Sequence, residues 1–446
     1  MPSPASTVQS EGASGLESLD SLVPLPDGNN EVEQLSPSDL FFQGLKSSLS
    51  NIPRGITFDA TVLPDVTSLI LSHYIKVARE SLFKAESFPV EEGLLRRISD
   101  SSVTRWSMYL GARIINDLWS DNNLKKYLNW IFRFSQQITQ TPSSNEQEPS
   151  LRSRLAGLYD LIYFGSLIAG TASGYSLLRS STPALLQLAA LYPQIWVDNT
   201  SISIPETFRI SQYEIMQFVV HDTIASLVLG IPPILQYNTS SPWVDKAPGH
   251  YMEWIYGFPL RLLILLAEVN AWRTSRMMGR IAQSQSHYRN VMGRLESWNP
   301  IVDHTDEPHN DITRLAIQEA WRQATLIYMY MGMCEVNSAD PRVEKAVQQI
   351  VHLGNTITTG STLERHIFLP CLIAGIAARR EKHRATLRGK IVGGLSRKVR
   401  PLILPVRSSD FLAVLDYLWH GVGSGGRPVV WEDYVKSRCA ALLLHN

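Results

Sequence analysis

Residues 63–77 read LPDVTSLILSHYIKV, and the apolar residues in this stretch recur every three or four positions. That spacing places them on one face of an α-helix, which Pro64 and Asp65 would open. Similar segments follow along most of the chain. Alternating β patterns are nearly absent, with residues 201–204 as a short candidate. The sequence therefore predicts an all-α fold: a large irregular multi-helix domain, a helical stack, preceded by a disordered N-terminal tail. The apolar positions of the opening stretch are Val66, Leu69, Ile70, Tyr74, Ile75 and Val77.

The helical pattern is interrupted at several points. Gly230, followed by Pro232 and Pro233, predicts the end of a long helix over residues 206–229. A polar cluster at residues 120–123 divides the helical stretch 103–134. Polar linkers are expected near residues 136–153 and 298–311. Further helices are predicted near residues 151–178, 183–192, 259–296, 312–335, 341–355, 363–380, 382–394, 408–420 and 428–444.

The composition excludes several classes of protein. The 446 residues contain 41 Lys and Arg and 41 Asp and Glu, so the zero net charge argues against a chain-long polycation on nucleic acid. Three distant cysteines, Cys334, Cys371 and Cys439, indicate a reduced intracellular protein. No apolar run reaches the roughly 20 residues of a membrane span, so no membrane association is expected.

Residues 1–36 are acidic and rich in Ser and Pro, and the first basic residue of the chain is Lys46. We expect a disordered acidic tail here, because such a segment buries too little apolar surface to offset its chain entropy. Its leucines among carboxylates are typical of an acidic interaction segment, and an inert leader is the competing interpretation. Residues 37–446 are expected to form the helical domain.

Several blocks resemble the regulatory region of fungal zinc-cluster transcription factors, known as the fungal-specific transcription factor domain. The resemblance extends over roughly residues 63–444, and the order and spacing of the blocks carry it. The blocks are LILSHY at 69–74, DTIASLVLG at 222–230, EWIYGFP at 253–259, EAWRQATLIYMY at 319–330, FLPCLIAG at 368–375, and VLDYLW at 414–419 with Trp431.

The resemblance implies a helical regulatory module, usually nuclear, that modulates transcription. It also implies homodimers or heterodimers with related factors and, in some members, a small-molecule effector. The six clustered cysteines of the family's DNA-binding module have no counterpart among the three of this sequence. Direct DNA binding by the usual route is therefore not expected. The function predicted is that of a nuclear transcriptional regulator without a zinc cluster of its own, and the alternative is a cytoplasmic helical scaffold or adaptor without catalytic activity.

Two groups of residues are candidates for binding. Aromatic side chains at helical spacing either pack in the core or line an effector pocket, because their rings offer large area with a polar tip. Basic residues between 379 and 400 either form a solvated helix face or act in nuclear import or phosphate contact. The pocket candidates are Trp254, Tyr256, Trp321 and Tyr328, and the basic candidates are Arg379, Arg380, Lys382, Arg384, Arg388, Lys390, Arg397, Lys398 and Arg400.

Signals for catalysis are weak. Adjacent His221 and Asp222 point about 100° apart on a helix and form no relay with each other. Cys371 is expected to be a small buried apolar residue. The glycines of residues 421–426 match a dinucleotide pattern by letters, but they follow a helix instead of a strand. The histidines and aspartates of residues 303–311 could hold a metal ion, although helix capping accounts for part of that cluster. We therefore predict no enzyme, no catalytic, metal or cofactor-binding residue, and no cofactor.

Overall fold

The computed structural model describes residues 63–85, 89–140, 147–210, 212–240, 251–279, 285–300, 308–393 and 401–444. All of them belong to one compact unit, residues 55–446. The expected tail at residues 1–36 lies outside the described residues. The all-α prediction is confirmed, since helices account for nearly all regular structure in the described part of the chain.

The N-terminal helices form one layer of the domain. The first of them contains residues 63–77, whose spacing predicts a helix. The core faces of the first three meet through Val66, Ile70, Leu94, Ile98 and Met108. Ser101 caps the third, because its hydroxyl accepts a hydrogen bond from the Val103 amide at 3.1 Å. The elements are α1 Leu63–Ser81, α2 Val90–Asp100, α3 Ser102–Trp119, a 3₁₀ turn Leu124–Tyr127, α4 Leu128–Gln140, α5 Glu148–Ala169 and α6 Thr171–Ala190.

Several of these boundaries differ from the sequence-based expectation. The break between α5 and α6 is at Gly170, whose φ of 101° is open mainly to glycine. Pro183, expected to begin a helix, lies inside α6. The linker expected at residues 136–153 is shorter than predicted, because α4 continues to Gln140 and α5 begins at Glu148.

A small sheet connects this layer to the second half. Strands β1 Trp196–Val197 and β2 Ser201–Ser203 pair antiparallel, and β3 Tyr237–Asn238 adds parallel to β2. Asp198 and Asn199 have positive φ values of 52° and 53° in the turn between β1 and β2, which the Thr200 amide closes by donating to the Val197 carbonyl at 3.2 Å. The candidate strand in the sequence is therefore confirmed as a short one.

The second half surrounds one nearly fully buried helix. In α8 Tyr213–Leu229, every residue from Phe218 to Leu229 is buried. Gly230 ends it in the left-handed conformation at φ 64°, as predicted from Gly230 and the two prolines. The remaining elements are α7 Ile204–Ile210, α9 Tyr251–Tyr256, α10 Leu260–Met277, α11 Gln285–Glu296, α12 Pro308–Gly332, α13 Pro341–Thr356, a 3₁₀ turn Leu363–Ile367, α14 Phe368–Ala377, α15 Glu381–Gly393, α16 Ser408–His420, a 3₁₀ turn Ser424–Gly426 and α17 Trp431–Ala441.

Residues 402–410, which include the first residues of α16, form hydrogen bonds with α5 and α6 and so join the two halves of the domain. The Leu402 amide donates to the Tyr163 hydroxyl at 2.9 Å, and the Arg407 amide donates to Thr171 Oγ1 at 2.9 Å. Asp410 Oδ2 accepts from the Thr171 amide at 2.7 Å, at the start of α6. The joint between α5 and α6 is thus held by residues that come more than two hundred positions later in the chain.

Candidate functional site

An aromatic cluster joins α9 to α12 beside the central helix. The Tyr256 ring stacks on Phe258 at 5.8 Å between centroids, and Phe258 lies 5.3 Å from Trp321. His221 of α8 meets Tyr256 edge to face, with 3.4 Å between His221 Nε2 and the Tyr256 hydroxyl. Two of the predicted pocket residues, Tyr256 and Trp321, therefore belong to one cluster.

Two buried polar atoms around this cluster, His221 Nδ1 and Trp321 Nε1, have no hydrogen-bond partner among the described residues. His366 Nδ1 lies 3.0 Å from the Tyr256 carbonyl oxygen, which places that ring against α9. Buried polar groups usually have partners, and further unpartnered atoms such as Tyr74 Oη and Trp431 Nε1 lie elsewhere among the described residues.

Both histidines of the cluster are held neutral by their surroundings. Burial lowers the pKa of His221 to about 3. Burial also lowers the pKa of His366 to about 4, and the neighbouring guanidinium of Arg365 acts in the same direction. The cluster is therefore an apolar environment with neutral hydrogen-bonding groups.

The third predicted pocket residue, Tyr328, lies two turns further along α12 and has different neighbours. Its hydroxyl donates to Asn270 Oδ1 at 2.6 Å, and Asn270 Nδ2 donates to the Thr223 carbonyl at 3.0 Å. The Tyr328 ring packs on Trp431 at 4.5 Å, with the Arg273 guanidinium 6.0 Å from the Tyr328 ring centroid. These contacts fit a packed structural junction of α8, α10, α12 and α17.

Trp254, the fourth predicted pocket residue, is half-buried and faces the end of α1. Its carbonyl accepts a hydrogen bond from the Lys84 amide at 2.9 Å, and Lys84 Nζ lies 6.0 Å from its ring centroid. The structure thus brings Tyr256 and Trp321 together and places Trp254 and Tyr328 elsewhere.

The last helix locks the end of the central helix. Arg438 Nε donates to the Leu229 carbonyl at 2.7 Å, and the Tyr434 hydroxyl donates to the Val228 carbonyl. A Cβ on Gly230 would lie 2.6 Å from Val435 Cγ2, so this turn and α17 are in close contact. The last carbonyl groups of a helix lack amide partners within that helix. Two side chains of α17 supply the missing donors here.

Asp222 organises the loop that follows the central helix. Its carboxylate is fully buried and accepts hydrogen bonds from the Ile234 amide at 2.8 Å, the Leu235 amide at 3.2 Å and the Tyr237 hydroxyl at 2.8 Å. Burial raises its pKa to about 6, although these hydrogen bonds act in the opposite direction. His221 faces Tyr256 instead, so the two adjacent side chains form no relay with each other, as predicted.

The basic run is largely engaged within the domain. Arg384 is buried and donates to the carbonyls of Ala378 and Gly423, and Lys390 pairs with Glu364 at 2.9 Å. Of the members that the structure describes, only Lys382 makes no side-chain hydrogen bond or ion pair, whereas Arg379, Arg380 and Arg388 bond to Gly426, Glu344 and Asp416. Arg397, Lys398 and Arg400 lie outside the described residues.

The remaining candidates from the sequence either have a structural role or lie outside the residues that the structure describes. Residues 301–307, with His304 and most of the candidate metal loop, are not among the described residues. Cys371 is buried, and burial raises the pKa of its thiol to about 12, as expected of a small apolar residue. The glycines of residues 421–426 connect α16 to α17 through a 3₁₀ turn. In the described part of the chain, no three His, Cys, Asp or Glu residues are placed to hold a metal ion, and no helix is long and apolar enough to cross a membrane.

The sequence model of a known protein family, the fungal specific transcription factor domain, matches residues 199–444, more than half of the chain. The chain belongs to this family. The matched region of the fungal transcription factor domain begins in the β1–β2 hairpin and contains the central helix, the aromatic cluster and α17. No curated protein and no solved structure matches the chain.

Sequence reasoning missed several residues that organise the site. Asn270, Arg273 and Arg438 are buried polar residues to which the sequence analysis gave no role. The signal available was that such residues fall on the apolar face of their helices, where a buried polar group needs a partner.

Proposed function

We propose that the chain is a nuclear transcriptional regulator that acts by binding, through a helical regulatory domain, and carries out no catalysis. Membership of the fungal transcription factor domain family is the observation that carries this proposal. The three cysteines of these 446 residues are too few for a six-cysteine zinc cluster. We infer that any sequence-specific DNA reading in the assembled regulator is supplied by a different polypeptide segment or by a partner factor.

A tethering experiment tests regulation. The full chain is fused to an unrelated DNA-binding module, and transcription of a reporter gene with the matching operator is measured. We expect output that differs several-fold, upward or downward, from the output of the DNA-binding module alone. Output equal to that of the module alone, with the fusion present at the same level, would contradict a regulatory role.

For the effector, the structure favours the Tyr256 cluster over the Tyr328 junction. The unpartnered Trp321 Nε1 and His221 Nδ1 offer hydrogen bonds that no described residue uses. Trp431 provides a matched control, since its indole nitrogen is also buried and unpartnered but lies in the junction with Tyr328. We expect Trp321→Phe to change reporter output at unchanged protein level, and Trp431→Phe to leave it unchanged. Equal effects of the two substitutions would argue against an effector site here.

The cytoplasmic scaffold is favoured by one observation, which is that most described members of the basic run are occupied in internal bonds. Localisation of a fluorescent fusion separates the two functions. Replacing only residues without an assigned structural role, Lys382, Arg397, Lys398 and Arg400, by Gln should abolish nuclear accumulation. Gln at the exposed Lys125, Lys345 and Lys436 is the control and should not. A wild-type fusion confined to the cytoplasm would support the scaffold.

A further inference from the structure

The last turn of α2 carries two adjacent arginines and an exposed serine. Residues 96–99 read RRIS, and no other serine or threonine in the sequence follows an arginine pair at this distance. The Ser99 hydroxyl makes no hydrogen bond with the residues that the structure describes. Basophilic protein kinases select serines by the cationic residues two and three positions before them, because acidic groups of the kinase bind those cations. The pattern therefore indicates a phosphorylation site.

Other residues that follow an arginine by three positions are less accessible or less well preceded. In the described part of the chain, Thr325 is buried and Thr182 is half-buried. Ser297 is exposed, but it follows a single arginine, Arg294, which donates to Glu268 Oε2 at 2.7 Å. Exposure and a complete arginine pair therefore coincide at the end of α2.

The last turn of α2 is built to open locally. This helix has 11 residues, of which Leu94 and Ile98 are buried, and the backbone is already extended at Ser101 with φ −155° and ψ 143°. Short helices with few buried side chains open at low cost. Protein kinases bind their substrates in an extended conformation, so this opening presents the serine. It also releases Arg97, which donates to Asp160 at 2.9 Å in the closed turn.

Two arginines of the folded protein lie where they can bind a phosphate on Ser99. Arg96 is three residues earlier on the same helix face, and it makes no hydrogen bond or ion pair with any described residue. Arg105 of α3 reaches the same turn, since its Nε donates to the Ile98 carbonyl at 3.0 Å. Its two terminal nitrogens have no partner among the described residues. Guanidinium groups bind phosphate through paired N–H donors.

We propose that Ser99 is phosphorylated by a basophilic protein kinase and that Arg96 and Arg105 then bind the phosphate. In the transfer, the bond between the γ-phosphorus of ATP and its bridging oxygen breaks, and a bond from that phosphorus to Ser99 Oγ forms. ADP leaves, and the hydroxyl proton passes to the aspartate base of the kinase. The added charge of about −1.5 to −2 is unfavourable at a helix C-terminus unless cations accompany it, and the two arginines supply them. This inference goes beyond the proposed transcriptional role and does not depend on it.

Phosphorylation of the purified full chain tests the site. The probe is the catalytic subunit of cAMP-dependent protein kinase with ATP, and mass spectrometry of proteolytic peptides measures the rate at each serine. We expect a rate at Ser99 about tenfold above that at Ser297, the matched exposed serine with a single arginine. Arg96→Gln should lower the rate at Ser99 about tenfold, and Arg105→Gln should not lower it. A rate at Ser99 no higher than at Ser297, or one unaffected by Arg96→Gln, overturns the proposed site.

Phosphorus-31 NMR of the phosphorylated chain tests the role of the arginines. The second pKa of an exposed phosphoserine is about 6, and neighbouring cations lower it. We expect this pKa to be lower by at least about 0.5 in the folded protein than in urea, and Arg105→Gln to raise it again. Arg113→Gln, two turns further along α3, is the control and should leave the pKa unchanged. Equal pKa values in the folded and unfolded chain, or equal effects of the two substitutions, would overturn phosphate binding by Arg105.

Discussion

Asp222→Asn probes the buried carboxylate that holds the loop after the central helix. The substitution keeps the shape of the side chain and one acceptor oxygen, but it removes the titratable proton. Burial raises the pKa of Asp222 to about 6 from 3.8, so the folded protein retains a proton at a pH where the unfolded chain has released it. The contribution of this group to stability therefore grows as the pH falls from 7 towards 4.

The size of this effect follows from the two pKa values. With 3.8 in the unfolded chain and about 6 in the folded protein, the wild type should gain on the order of 1 kcal/mol relative to Asp222→Asn between pH 7 and pH 5. The comparison of two proteins at each pH cancels the groups that they share, including the buried histidines, which act in the opposite direction.

Urea unfolding followed by tryptophan fluorescence at pH 7, 6 and 5 measures the difference. Asp100→Asn, at an exposed position at the end of α2, is the control for the chemical change itself. A constant difference for Asp222→Asn would refute the reasoning. It would mean that the hydrogen bonds from Ile234, Leu235 and Tyr237 outweigh burial and keep the pKa of this carboxyl near its ordinary value.

Three further substitutions test other features by the same unfolding measurement. Gly230→Ala should destabilise by about 1 kcal/mol more than Gly279→Ala, because both glycines have positive φ but only Gly230 has Val435 2.6 Å from the added Cβ; equal losses would contradict the close contact with α17. Glu335→Gly should raise the free energy of unfolding by about 1 kcal/mol, because Glu335 has a φ of 58° and the strain of that conformation costs more than its exposed ion pair contributes. A lower free energy of unfolding would mean that the ion pair contributes more than the strain costs. His366→Gln should reduce the loss of stability between pH 7 and pH 5 by about 2 kcal/mol. The histidine of the unfolded chain takes up a proton below about pH 6.5, whereas the buried one, with its pKa near 4, does not. An unchanged pH profile would show that His366 titrates alike in both states.

Helix content was predictable because it depends on local periodicity. The period of residues 63–77 identifies α1, and Gly230 with its following prolines identifies the end of α8. Pro183 was misread because a proline favours the first turn of a helix, whereas this one lies inside α6, where it removes a main-chain hydrogen bond. Which of these alternatives is realised depends on packing against α5, which lies outside any local window.

The candidate site was less predictable, since it depends on contacts between distant segments. Tyr256 and Trp321 belong to one cluster through Phe258, but Tyr328 and Trp254 carry the same residue types into different surroundings. The basic run appeared in the sequence as a cluster of free charge. Its partners, Glu344, Glu364 and Asp416, come from other helices and could not be assigned by spacing alone.

The bonds that tie Leu402, Arg407 and Asp410 to the α5–α6 joint have a practical consequence for recombinant work. A truncated protein starting at residue 199, where the family match begins, would discard the helices that receive these bonds. It would leave the Asp410 carboxylate without its amide donor and uncover apolar surface normally covered by α5 and α6. Expression trials that start at residue 63 keep both sides of that seam, and are expected to yield soluble material where the shorter version aggregates.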